Sequence, residues 1–128
     1  MAPPIYDLIV IGGGCAGLSA GVYAGRAKLN TLILEKALPG GQAANTAEVV
    51  NYPGVRRTSG PALTEEMHRH AMDFGVQFRT AEIERVDFSG DVKTLYLREG
   101  TLQSRAVIVA TGASPRKIGF QGEGAFTG

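Results

Sequence analysis

Gly12-Gly13-Gly14-Cys15-Ala16-Gly17 is a Gly-x-Gly-x-x-Gly pattern set directly after the apolar run Leu8-Ile9-Val10-Ile11. In that setting the glycines read as a dinucleotide pyrophosphate site, where a backbone wraps around phosphate. Gly12 can make the tight turn, Gly14 removes the side chain that would hold backbone and phosphate apart, and Gly17 lets helix and strand pack closely. A helix starting at Cys15 and Ala16 then offers an anion its unpaired N–H groups and a partial positive charge. By itself the motif is common, and it gains weight from Glu35. That residue closes the next apolar run, Thr31-Leu32-Ile33-Leu34, near the roughly 20-residue offset at which a carboxylate accepts from both hydroxyls of an adenosine ribose. It would repel a 2′-phosphate, so a nicotinamide dinucleotide held here would be NAD rather than NADP. The ordinary alternative is a charged residue leaving a strand for solvent.

Other residue types in the chain are weaker carriers of chemistry. Cys15 is the only cysteine, which excludes an internal disulfide and a cysteine-based metal cluster. A thiol at a helix N-terminus can ionise readily, but adjacent phosphates oppose the thiolate, so Cys15 reads as a small packing residue. His68 and His70 stand two apart on a helical stretch, point in different directions and cannot share a metal; they read as surface or half-buried histidines. Arg56-Arg57 reads as a solvated loop pair. No Ser/His/Asp or paired-carboxylate arrangement suggests hydrolysis.

The elements that must position the motif follow from periodicity. The 128 residues fit one domain spanning 1–128, long enough to bury a sizeable core. Lys and Arg number 13 against 12 Asp and Glu, which gives no electrostatic footprint for nucleic acid or an anionic membrane. No signal-like start and no membrane-length apolar run is present, so a cytoplasmic protein without a membrane partner is expected. Residues 6–11 read as a buried parallel strand, 15–28 as a helix with a small-residue face, and 31–35 as a second strand, together a right-handed βαβ unit. Residues 37–59 read as a long ordered loop with one helical turn. A helix follows from Pro61, with Leu63, Met67, His70/Ala71 and Phe74 as its apolar stripe and Gly75 as its stop. Val76–Arg79 reads as a short strand, and 83–88, 92–98 and 101–105 as an antiparallel meander. Ala106–Ala110 reads as a separate, fully buried strand ending at Thr111-Gly112. The fold class is α/β, a Rossmann-like three-layer FAD/NAD(P)-binding domain whose parallel sheet carries an antiparallel three-stranded meander insert. The tail from Ala113 to Gly128 reads as irregular and truncated.

The chain resembles the N-terminal FAD-binding portion of low-molecular-weight thioredoxin reductases and their flavoprotein disulfide reductase relatives. The resemblance rests on residues 12–17, Glu35, Gly40-Gly41-Gln42, Glu48 to Gly54, Gly60-Pro61 with Leu63, and Ala110-Thr111-Gly112-Ala113, in family order. It implies that Gly12, Gly14, Cys15, Ala16 and Gly17 form the FAD pyrophosphate site, with Glu35 and Lys36 at the adenosine ribose. Gly41, Gln42, Thr46 and Asn51 would lie beside the flavin ring or ribityl chain, amide and hydroxyl groups that add no charge near a redox centre. The backbone of Ile83 would meet adenine, and Ala110, Thr111 and Gly112 would close over the cofactor. No catalytic side chain is expected in this chain. Cys15 departs from the proline frequent at its position. The family's Cys-x-x-Cys dithiol, NADPH-binding domain and C-terminal FAD segment would all lie after Gly128, so NADPH is expected only in that missing part, and the chain alone is expected to be inactive. The resemblance implies that the full-length parent is an NADPH-dependent disulfide reductase acting on a thioredoxin-like protein, and suggests a homodimer. Three alternatives stay open: a ferredoxin-NADP reductase-like flavoprotein without the dithiol, a non-catalytic cofactor-binding fragment, and an NAD-dependent dehydrogenase domain.

Overall fold

The computed structural model describes residues 4–114, 116, 118–119 and 121–126. Expectations for Met1 to Pro3, and for 115, 117, 120, 127 and 128 in the tail, lie outside the described residues. Among the described residues six strands form one sheet in the order β3-β2-β1-β6-β5-β4: β1 (Ile5–Ile11), β2 (Thr31–Glu35), β3 (Gln77–Thr80), β4 (Ile83–Asp87), β5 (Lys93–Leu97) and β6 (Gly100–Val109). β3, β2, β1 and β6 run parallel, while β5 and β4 are added antiparallel. The parallel half and the meander of the expected fold are both present.

Helix α1 (Cys15–Arg26) joins β1 to β2 and ends two residues short of the expected Lys28, which adopts a left-handed φ of 60°. Helix α2 (Gly60–Asp73) starts one residue before Pro61, because Ser59 caps it: the Ser59 Oγ accepts from the Ala62 N–H at 3.2 Å. Its buried stripe is Leu63, Met67 and Ala71, at four-residue spacing. Phe74 lies past the helix end and is 41% exposed, outside that stripe. Both helices cover one face of the sheet around Leu8, Val10, Leu18 and Ile33. Ile9, Leu32, Leu34, Leu95, Leu97 and Leu102 form a second core that joins the central strands to the meander. The loop before α2 carries a short 3-10 helix, Gly41–Asn45, and the tail carries one helical turn, α3 (Glu123–Phe126). Among the described residues no helix is long and apolar enough to cross a membrane.

Two expectations at the sheet's far side are corrected. Residues 101–105 and 106–110 do not form separate strands. β6 runs unbroken, pairing with β5 through Gly100 to Ser104 and with β1 from Gln103 to Val109. The change in composition at Ala106 marks the point where β6 leaves β5 behind, not a turn. Nor is the second half fully buried: Ile108 is 40% and Val109 62% exposed, because among the described residues no strand pairs with the outer edge of β6 beyond Ser104.

Candidate functional site

β1 lies between β2, reached through α1, and β6, reached after the whole meander. A crevice outside the C-terminal ends of such strands, where chain connections depart in opposite directions, is where open α/β sheets bind ligands. A cavity of about 940 Å³ opens there.

Its floor is the turn from β1 into α1. The Gly12 N–H donates to the Leu34 carbonyl at 2.8 Å, and Ala110 N–H donates to the Ile11 carbonyl at 2.8 Å, so the turn is tied to both neighbouring strands. Gly12 has a φ of 111°, and a Cβ there would overlap the Ala110 carbonyl oxygen. Gly17 packs one turn into α1, where a Cβ would overlap the Gly12 carbonyl oxygen. Gly14 is different: the nearest atom to a Cβ would be the Gly41 Cα at 3.5 Å, and its missing side chain leaves room on the cavity side. It is also the N-cap of α1, with no side-chain hydrogen bond to the helix and no acidic residue in the first turn. The free N–H groups and positive end of α1 are therefore left for an anion.

Glu35 stands at the end of β2 on the same rim. Its Oε2 accepts from the Gly13 N–H at 3.2 Å, which fixes the carboxylate against the glycine turn and leaves acceptor capacity on the other oxygen for a hydroxyl. The wall opposite is the 40–46 segment. Gly40 N–H donates to the Gly13 carbonyl at 2.8 Å, and Gln42 Nε2 donates across the cavity to the Ala113 carbonyl at 3.1 Å.

The cavity brings together Gly12, Gly14, Cys15, Ala16, Glu35, Lys36, Gly41, Gln42, Ala110, Thr111 and Gly112. Ile83 lines a second, more apolar cavity of about 400 Å³ on the meander side, which shares Gly12, Glu35, Lys36 and Thr111 with the first. Gly17 serves packing beneath the turn and lines neither cavity, and neither do Thr46 and Asn51, which are exposed on the loop. Cys15 is half-buried at the first position of α1.

The sequence reading missed the contribution of α2. Pro61, Thr64, Glu65 and His68 line the cavity from one face of that helix, and the four-residue step from Thr64 to His68 beside the buried stripe was the available signal. His68 is held edge-on to Phe78, ring centroids 4.7 Å apart, while His70 packs on Phe74 at 5.4 Å. The two imidazoles serve different rings. The His68 Nε2 is buried and has no hydrogen-bond partner among the described residues. Phe78 in turn lies under the glycine turn, 2.9 Å from where a Gly13 Cβ would stand.

Comparison with known proteins places this geometry. The family model described as pyridine nucleotide-disulphide oxidoreductase matches residues 6–128. The chain is 44% identical over 124 residues to a thioredoxin reductase of Listeria monocytogenes, covering 97% of this chain and 39% of the relative. It is 44% identical over 119 residues to that of Bacillus subtilis, covering 93% and 38%. Among solved structures, a thioredoxin reductase of Lactococcus lactis superposes with a TM-score of 0.87 at 36% identity, over 94% of this chain and 40% of that one. The chain thus spans about two fifths of the length of the curated relatives it matches.

Proposed function

The chain belongs to the pyridine nucleotide-disulphide oxidoreductase family, and on that premise we propose that its main cleft binds FAD as part of a thioredoxin reductase-like, NADPH-dependent disulfide reductase. The observation that carries this reading is the convergence on one cavity of the glycine turn, Glu35, the Gly40-Gly41-Gln42 segment and Ala110 to Gly112. The donor set suits a dinucleotide. Uncapped N–H groups at the start of α1 face the place of a pyrophosphate, the Gly14 position leaves space for it, and Glu35 is anchored with acceptor capacity to spare.

In this reading Gly12, Gly14, Cys15 and Ala16 hold the pyrophosphate and Glu35 with Lys36 the adenosine ribose. The Ile83 backbone meets adenine, consistent with the second cavity that adjoins Glu35. Gln42 faces the flavin half, Thr46 and Asn51 stay outside the cavity lining on the loop behind it, and Ala110 to Gly112 close over it. FAD, when bound, supplies the chemistry of accepting a hydride and passing on electrons. The chain's own residues bind, orient and exclude water.

The sequence holds one cysteine, so no dithiol lies within these 128 residues, and the NADPH site, the dithiol and contact with a thioredoxin-like substrate belong to the reading of the whole reductase. A cytoplasmic homodimer is part of the same reading. Titration of the chain with FAD, followed by quenching of flavin fluorescence, tests it against NAD and ADP. Saturable FAD uptake, tighter than NAD, is expected, with no NADPH-driven disulfide reduction by the chain alone. NAD binding tighter than FAD would transfer the site to a dehydrogenase reading.

A further inference from the structure

The 40–46 segment forms a wall of the cleft, yet none of the residues in its 3-10 helix is buried. Backbone contacts hold it from both flanks. On the inner flank Gly40 is bonded to Gly13, and the Gly41 Cα approaches Gly14. On the outer flank stands the first turn of α2. The Gly60 N–H donates to the Thr46 carbonyl at 2.8 Å. A Cβ on Gly60 would overlap the Ala43 carbonyl oxygen and stand 2.6 Å from that of Thr46. The Thr64 Oγ1 lies 2.7 Å from where a Gly40 Cβ would be, and its hydroxyl faces the carbonyls of Gly60 at 3.0 Å and Pro61 at 3.2 Å.

Within α2 itself, glycine at position 60 eases the helical conformation of a residue that precedes proline, and nothing else there calls for it. The helix is already capped by Ser59 and stiffened by Pro61, and glycine weakens a helix relative to alanine. What glycine supplies is room. Only a residue without a side chain lets two carbonyls of the wall rest on the helix backbone.

We infer that Gly60 is a positioning residue for cofactor binding: it sets how far the 41–46 wall stands from the phosphate turn, and so the spacing between the flavin and adenosine halves of the cleft. The inference rests on the FAD reading for its ligand and on the contacts above for its geometry.

The test compares Gly60→Ala with Gly90→Ala in the whole chain. The control makes the same chemical change where the nearest atom to the new Cβ is the Val92 carbonyl oxygen at an ordinary 3.5 Å. FAD and ADP affinities are measured, together with hydrogen exchange at the 41–46 amides without ligand. Gly60→Ala weakens FAD by about tenfold or more, the loss of one or two hydrogen bonds. ADP, which reaches only the glycine turn and Glu35, stays within about a factor of two because separate contacts act independently. Exchange rises at 41–46 and not in β1 or α1, and Gly90→Ala changes none of these. Equal weakening of FAD and ADP, unchanged FAD affinity, or unchanged exchange at 41–46 overturns the inference. Where Gly60→Ala does not fold, Thr64→Val keeps the volume, removes the hydroxyl facing the first turn, and is read by the same criteria. A wild-type chain that takes up ADP but not FAD sinks the FAD reading alone, since the exchange measurement still decides the positioning role.

Discussion

Alanine at Gly17 and alanine at Gly21 make the same change one turn apart on the buried face of α1, and they should differ in sign. At either site alanine gains about 1 kcal/mol of helix propensity and about 0.8 kcal/mol from burying a methyl group. At Gly21 the new Cβ meets the Ile33 Cδ1 at 2.8 Å, with the Ala71 Cβ at a comfortable 3.6 Å. The obstacle is the mobile tip of a side chain, and turning it costs about 0.5–1.5 kcal/mol. Gly21→Ala should leave stability unchanged or raise it by up to about 1 kcal/mol. At Gly17 the obstacle is the Gly12 carbonyl oxygen, part of a turn tied to Leu34 and Glu35. Overpacking costs about 1–3 kcal/mol, and lifting α1 off the turn forfeits roughly 1 kcal/mol for each strained hydrogen bond. The net loss is about 2 kcal/mol or more, a fall of roughly 8 °C in Tm for a chain of this size. Thermal unfolding followed by circular dichroism reads the stability, and ADP titration reads the turn directly. Similar shifts for both variants, or a Gly17→Ala chain that melts with the wild type, would refute the packing argument.

Glu35→Ala removes the acceptor of the Gly13 N–H and should weaken ADP by about ten- to a hundredfold. Glu35→Gln, which keeps an acceptor, should lose less, and calorimetry that shows both at wild-type affinity removes Glu35 from the site. Hydrogen bonds from the Ser89 hydroxyl and then the Ser89 N–H hold the exposed Asp87 carboxyl below the ordinary aspartate range. Because the folded value is depressed, this carboxylate favours the fold above about pH 4 and loses that contribution as pH falls through the folded value. Ser89→Ala should raise the Asp87 pKa in an NMR titration, and an unmoved pKa would contradict the assigned cause. His68→Phe replaces a buried nitrogen that lacks a partner with an apolar ring against Phe78, and should be neutral or stabilising in thermal unfolding. A Tm lowered by more than about 5 °C would show that the nitrogen is satisfied in solution.

The glycine turn was legible because backbone overlap at Gly12 and Gly17, with a positive φ at Gly12, leaves glycine without substitutes there. Glu35 was legible from its place at the end of a strand, but the bond that anchors it to Gly13 was not, since it depends on how the turn curls back. The α2 face of the cavity was hidden by the stronger signal beside it: Leu63, Met67 and Ala71 announce a core stripe, whereas Thr64 and His68 look like ordinary polar neighbours. β6 reads as two strands because its first half is mostly polar and its second half is continuously apolar. A change of neighbours along one strand and a break between two strands leave the same trace in sequence.

The pairing of β1 with β6 sets the order in which this molecule can assemble. The first βαβ unit is local and can collapse early, but the central strand stays half-paired until residues about a hundred positions later arrive, as the Ser104 hydroxyl bonded to the Tyr6 carbonyl illustrates. Pairings of such long sequence separation are slow to form because the closure entropy comes first. Gly12 rests against Ala110, so the cleft is completed only when β6 docks. On a ribosome, the glycine turn is made long before the strand that completes the cleft around it.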